Sequence, residues 1–152
     1  MGFPFFKKKE FFSAKEKEQI TEAVRMAEKE TSGEIRVYVE SKNALVDPVE
    51  RAKEVFLQLK MQETTHRNAV LLYIAMDHRE VALFADDGIY KEVGKEFWEH
   101  AVKEMIMHFR ENNLSHGIEH CIKKIGQTLK EKFPYDESTN KNELPDDIVF
   151  GK

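Results

Sequence analysis

Cysteine is almost absent from this sequence: Cys121 stands alone among 152 residues. One thiol excludes an internal disulfide and a cysteine-rich metal cluster, and it fits a reducing compartment, so a cytoplasmic location is expected. Long apolar runs are missing too. No window approaches the roughly 18 apolar residues of a membrane-spanning helix. No export signal is expected either, because Lys7 to Lys9 follow the apolar Phe3, Phe5 and Phe6 and lead into Glu10. Gly2 lacks the Ser or Thr that a myristoylation signal wants at position 6. Neither sign of charge dominates, since 24 basic and 28 acidic residues are interleaved for a net charge of −4. A polyanion finds no basic face here, and nucleic acid is not expected as a partner. Internal repeats, a Gly-rich phosphate loop, a dinucleotide fingerprint and a Ser-His-Asp order are all lacking.

What is present is enough for one core. The chain is 41% hydrophobic, 11% aromatic and 34% charged, which supplies the apolar surface needed to offset the entropy of folding one domain of this length. The expected division is an aromatic and basic tail over residues 1–12, a domain over 13–134 and an acidic tail over 135–152. The first tail, with Lys7 to Lys9 beside Phe3, Phe5, Phe6, Phe11 and Phe12, fits local packing or a weak contact with a membrane surface.

Local signals give an element order. Ser13 and Glu16 spell a capping box, and Ile20, Ala23, Val24 and Ala27 form the buried stripe of a first helix whose remaining face is expected to be wet. Gly33 stops it, and Ile35, Val37 and Val39 alternate with Arg36, Tyr38 and Glu40 in a strand from Glu34 to Glu40. Asp47, Pro48 and Glu50 open a second helix with the stripe Ala52, Val55, Phe56 and Leu59. The run Ala69 to Met76 is apolar throughout, as expected of a central strand covered on both faces. Val81, Leu83 and Ala85 return as an antiparallel hairpin strand. A single long helix is expected from Tyr90 to Arg110, on Val93, Phe97, Ala101, Met105 and Phe109. A last helix is expected from a Ser115 cap, on Ile118, Cys121, Ile122, Ile125 and Leu129, ending at Phe133 and Pro134. Cys121 reads as a buried, inert thiol on that stripe. The fold class that follows is α/β, with a mixed sheet of three to four strands.

Several phrases are more specific than the order. Thr31-Ser32-Gly33-Glu34-Ile35-Arg36-Val37, Arg67-Asn68-Ala69-Val70-Leu71, Asp87-Gly88-Ile89, Phe97-Trp98 and Glu143-Leu144-Pro145-Asp146-Asp147-Ile148-Val149-Phe150-Gly151 closely resemble the short, soluble bacterial branch of the TPM domain family, over roughly Phe11 to Gly151. The resemblance implies a three-layer α/β/α sandwich with helices on both faces of the small sheet. It also brings a plant member described as a weak acid phosphatase able to bind calcium. Bacterial relatives that occur beside LemA-type membrane proteins suggest a protein partner and a helper role. The turn usual in this branch is Asp-Lys-Gly-Ile, whereas Asp86-Asp87-Gly88-Ile89 here sets two acids side by side.

Those acids are the candidate metal ligands, because adjacent carboxylates in a strand-to-helix loop offer hard oxygens to Ca2+ or Mg2+. The same triplet also serves as an ordinary turn and helix cap. His66, Arg67 and Glu34 are the catalytic candidates: they stand at the amino edge of two strands, where an Arg and His pair holds a phosphoryl oxygen and donates a proton. The acidic turn is expected at a different edge from Glu34. His116, Glu119 and His120 spell the inverted zinc-peptidase string on one helical face, but the short remainder after His120 offers no third ligand and Gly117 weakens the turn between them. The bland alternative is a solvated face. His100, Glu104 and His108 likewise read as surface, and Met61, Met76, Met105 and Met107 as core filling rather than a copper-binding set.

Overall fold

Ser13 caps the first helix as its sequence demands: its hydroxyl accepts from the Glu16 amide and the Glu16 carboxylate accepts from the Ser13 amide. From there the computed structural model describes residues 11–44, 47–137 and 145–151. Among these the order is α1 (Ala14–Glu28), β1 (Glu34–Glu40), α2 (Pro48–Gln58), β2 (Ala69–Ala75), β3 (Glu80–Ala85), α3 (Asp87–Val93), α4 (Lys95–Arg110), α5 (Leu114–Lys132) and β4 (Val149–Phe150). The basic run Lys7 to Lys9 lies outside the described residues. Phe12, by contrast, is buried in the core.

The sheet order is β3-β2-β1-β4, with β1 parallel to β2 and to β4, and β3 antiparallel to β2. Alternation along the strands sorts side chains between two layers. Ile35, Val37 and Val39 join Val70, Leu72 and Ile74 beneath α1, α4 and α5, and Ile20, Val24, Met105, Ile118, Ile122 and Leu129 fill that side. Leu71 and Tyr73 face Ala52, Val55 and Phe56 of α2 on the other. Each fully buried aliphatic side chain contributes about 1.5–3 kcal/mol to holding these layers. The result is the expected three-layer α/β/α sandwich around a mixed sheet.

Four local features differ from the sequence expectation. The helix expected from Tyr90 to Arg110 is two helices, because Gly94 adopts φ +94° and ends α3 before α4 begins. The apolar spacing runs through this break and conceals it. Ser115 does not cap α5; Asn113 holds that position, and the Ser115 hydroxyl donates to Glu16 of α1. Glu28, on the part of α1 expected to be wet, is buried. Finally, the segment read as an extended tail returns to the sheet: Val149 and Phe150 pair with Tyr38 and Val39, and the Gly151 amide donates to the Val39 carbonyl.

Candidate functional site at the amino edge of the sheet

Because β3 runs antiparallel, its last residue comes back to the edge where β1 and β2 start. Ala85 stands opposite Val70, and the Asp86 amide donates to the Ala69 carbonyl. Asp86 therefore shares an edge with Arg67 and with Glu34, which corrects the expectation that the acidic turn lies apart from them. The hairpin, not the parallel pair, sets this position.

Arg67 grips Asp86 with two parallel hydrogen bonds, Nε to Oδ2 at 2.6 Å and Nη2 to Oδ1 at 2.7 Å, the geometry in which a guanidinium binds a carboxylate most firmly. The Asp87 amide donates to Asp86 Oδ1 at 2.8 Å, so Asp86 is also the N-cap of α3. The Arg67 side chain is 51% exposed while that of Asp86 is 4% exposed. The hydrogen bonds to Asp86 raise the Arg67 pKa above its ordinary value. Arg67 itself has φ +51°, a left-handed conformation that costs a non-glycine residue free energy and persists where neighbours over-determine it. Gly88 is one such neighbour: a Cβ there would lie 2.1 Å from the His66 carbonyl oxygen and 2.5 Å from that of Arg67. The Asp-Asp-Gly string thus divides its labour. Asp86 binds Arg67 and caps, Gly88 permits close approach, and the Asp87 side chain stands exposed.

Both Asp86 oxygens are engaged in this arrangement, which leaves the exposed Asp87 carboxylate as the open oxygen donor of the pair. His66 is exposed, with its ring 6.2 Å from that of Phe133. Glu34 turns elsewhere.

Glu34 belongs to a second group at the same edge, which sequence reasoning missed. Glu28, placed in the expected wet face of α1, is 8% exposed, and its Oε2 accepts from the Ile35 amide at 2.7 Å. Burial, a hydrogen bond with Asp146 and the charge of Glu34 push its carboxyl up to about 11, so Glu28 is neutral at pH 7. Arg36 stands beside these acids; burial lowers its pKa, while the nearby Asp147, Glu28, Asp146 and Glu34 oppose that fall. Two neighbouring carboxyls, Glu28 and Glu34, are the raw material of acid–base chemistry. Here both are shut from solvent, and they tie β1, α1 and the returning segment together. The signal available in the sequence was position: Glu28 sits four residues after Val24, on the apolar stripe.

At the opposite edge Arg51 holds Glu40 through two 2.8 Å hydrogen bonds, and the Tyr73 hydroxyl donates to the same carboxylate. Burial and the Glu40 charge raise the Tyr73 pKa. On α5, His116 and His120 are exposed, and Cys121 is buried, with its thiol pushed up to about 12 by desolvation. His108 departs from the surface reading: it is partly covered, and its Nδ1 is buried.

Comparison with known proteins bears on the whole chain. The TPM domain profile matches residues 6–128. The chain belongs to the TPM domain family. This TPM domain is similar to the BA42 protein of the psychrophilic bacterium Bizionia argentinensis, whose NMR structure superimposes with a TM-score of 0.86 at 36% identity, over 95% of this chain and 99% of that one. More remote likeness, of fold alone, extends to the N-terminal domain of the cg2496 protein from Corynebacterium glutamicum (TM-score 0.63, 12% identity, 78% of this chain and 74% of that). An N-terminal domain from P. gingivalis is similar too (TM-score 0.64, 17% identity, 80% and 78%). No curated protein sequence matches. No helix of the described residues is long and apolar enough to cross a membrane.

Proposed function

We propose that this TPM domain is an accessory domain that docks a short amphipathic helix of a membrane-protein partner, of the LemA type that the family branch suggests, in the groove between α1 and α5. The groove carries this reading. It encloses about 490 Å³, its apolar surface includes Ala23, Met26, Ala27 and Gly126, and Glu22, Glu119 and Lys123 bring charge of both signs to it. Gly126 lets the helices meet closely, since a Cβ there would lie 2.7 Å from that of Ala27. Met26 is 55% exposed, and an unbranched thioether adapts to the side chains of a docked helix. Flotation of the purified protein with vesicles carrying a LemA-type protein tests the proposal. Wild type should float and Ala23→Glu, Met26→Glu should lose at least about tenfold in affinity; equal binding by the variant removes the groove, and no binding by wild type removes this partner class.

The second reading, a phosphatase on phosphomonoesters, is favoured by one observation: Arg67, His66 and Asp87 are all exposed at one sheet edge. It predicts hydrolysis of p-nitrophenyl phosphate that falls at least about tenfold in Asp87→Ala while the melting curve holds. An accessory domain has no turnover to lose.

A further inference from the structure

The seam between α4 and α5 gathers histidines from two stretches of sequence. His100, Glu104 and His108 follow one another at four-residue intervals on α4, and His116, His120 and Lys124 do so on α5, so each trio lines one helical face. Gly117 lets the two faces meet. A Cβ at that position would lie 2.6 Å from the Cβ of His108, and in its absence the His108 ring sits 6.0 Å from that of His116 and 6.2 Å from that of His120. His108 Nδ1 is buried with no hydrogen-bond partner. The gap lined by Glu104, His108, Gly117, His120 and Cys121 is too narrow for a water molecule. An orphaned buried nitrogen of this kind calls for an ion or some other partner.

We propose that His108, His116 and His120 form a binding site for a divalent transition metal of the zinc class. Neutral imidazole suits Zn2+, Co2+ and Ni2+, and three such ligands leave a fourth position for water. A metal about 2.0–2.1 Å from each nitrogen brings imidazole centroids to about 5 Å from one another. The His108 ring is now within about 1 Å of that spacing from each of the other two, a difference that rotation about the side-chain torsions supplies. As the side chains stand, no three His, Cys, Asp or Glu among the described residues are placed to hold one ion, so binding requires the rings to rotate inward. Glu104 is the positioning residue. Its Oε1 holds the Lys124 ammonium at 2.5 Å, and its Oε2 lies 3.7 Å from His120 Nε2, so a small rotation of the ring makes the hydrogen bond by which a carboxylate fixes one imidazole nitrogen and leaves the other for the metal. His108, from the preceding helix, is the third ligand that the sequence after His120 could not offer.

The test uses the tag-free full chain, Zn2+ by calorimetry and Co2+ by visible absorption. One ion per chain is expected, with the bands of four-coordinate cobalt and at least about tenfold weaker binding in each of His108→Gln, His116→Gln and His120→Gln. Absence of binding overturns the proposal. So does His108→Gln binding as tightly as wild type, since that assigns the ion to the α5 pair alone. Imidazole NMR of the wild type reads the same question without a variant: three ring signals should move with the first equivalent of Zn2+, and movement of only two refutes the site.

Discussion

Replacing Glu28 by Gln should make the protein more stable at alkaline pH than the wild type, although the substitution removes a group that is buried and hydrogen-bonded. The folded-state carboxyl is pushed up to about 11 from an ordinary 4.5. Below 4.5 the group is protonated in both states and stability does not depend on it. Above 4.5 the unfolded chain releases the proton while the folded one keeps it, so stability falls as pH rises, by up to about 1.4 kcal/mol per pH unit. Between pH 5.5 and 8.5 this amounts to at most about 4 kcal/mol. Gln keeps the oxygen that accepts from the Ile35 amide, and its amide donates where the acid proton did, toward Asp146 and Glu34. Urea unfolding followed by the fluorescence of Trp98, at half-unit steps of pH, isolates the effect, because the other titrating groups are common to both proteins. The two stabilities should agree within about 1 kcal/mol at pH 5 and separate by about 2–4 kcal/mol in favour of the variant at pH 8.5. Parallel curves, or a wild type that gains on the Glu28→Gln variant as pH rises, would refute a neutral Glu28.

Gly88→Ala places a Cβ 2.1 Å from the His66 carbonyl oxygen and should cost about 2–3 kcal/mol of unfolding free energy, with Arg67 losing its conformation. Asp86→Ala removes the α3 cap and should cost about 1–2 kcal/mol in the same assay, whereas Asp86→Asn, which still caps, should cost less. A thiol reagent should leave native Cys121 untouched at pH 8 and modify it fully in urea, because the side chain is buried with its ionisation pushed up to about 12. Rapid native labelling would refute that burial.

Legibility in the sequence followed the range of the interaction. The capping box at Ser13 and the wholly apolar β2 were readable because each is decided within a few residues. The break at Gly94 was not, since one glycine in a helix is tolerated and the apolar stripe from Val93 to Phe109 continues across it. Ser115 presents a good capping side chain, but its hydroxyl was claimed by Glu16, distant in sequence. The return of Val149 and Phe150 to β1 is likewise a long-range decision that two apolar residues in a polar stretch do not announce. At the site, Arg67, Asp86 and Asp87 were each legible as polar residues at strand ends, yet their meeting depended on which edge the hairpin returns to. Glu28 and Glu34 were harder still, because an acid on an amphipathic helix or strand reads as solvent-facing until a neighbour closes over it.

The outer edge of β1 has one further consequence. Along a strand, alternate residues point their amides and carbonyls to the same side, and here Val39 bonds Gly151 while the Ile35 amide, two steps of the same alternation away, bonds the Glu28 side chain. A carboxylic acid thus stands where another strand would otherwise attach. With the two-residue β4 beside it, this edge offers little template for recruiting a foreign strand, which guards the domain against sheet-to-sheet aggregation.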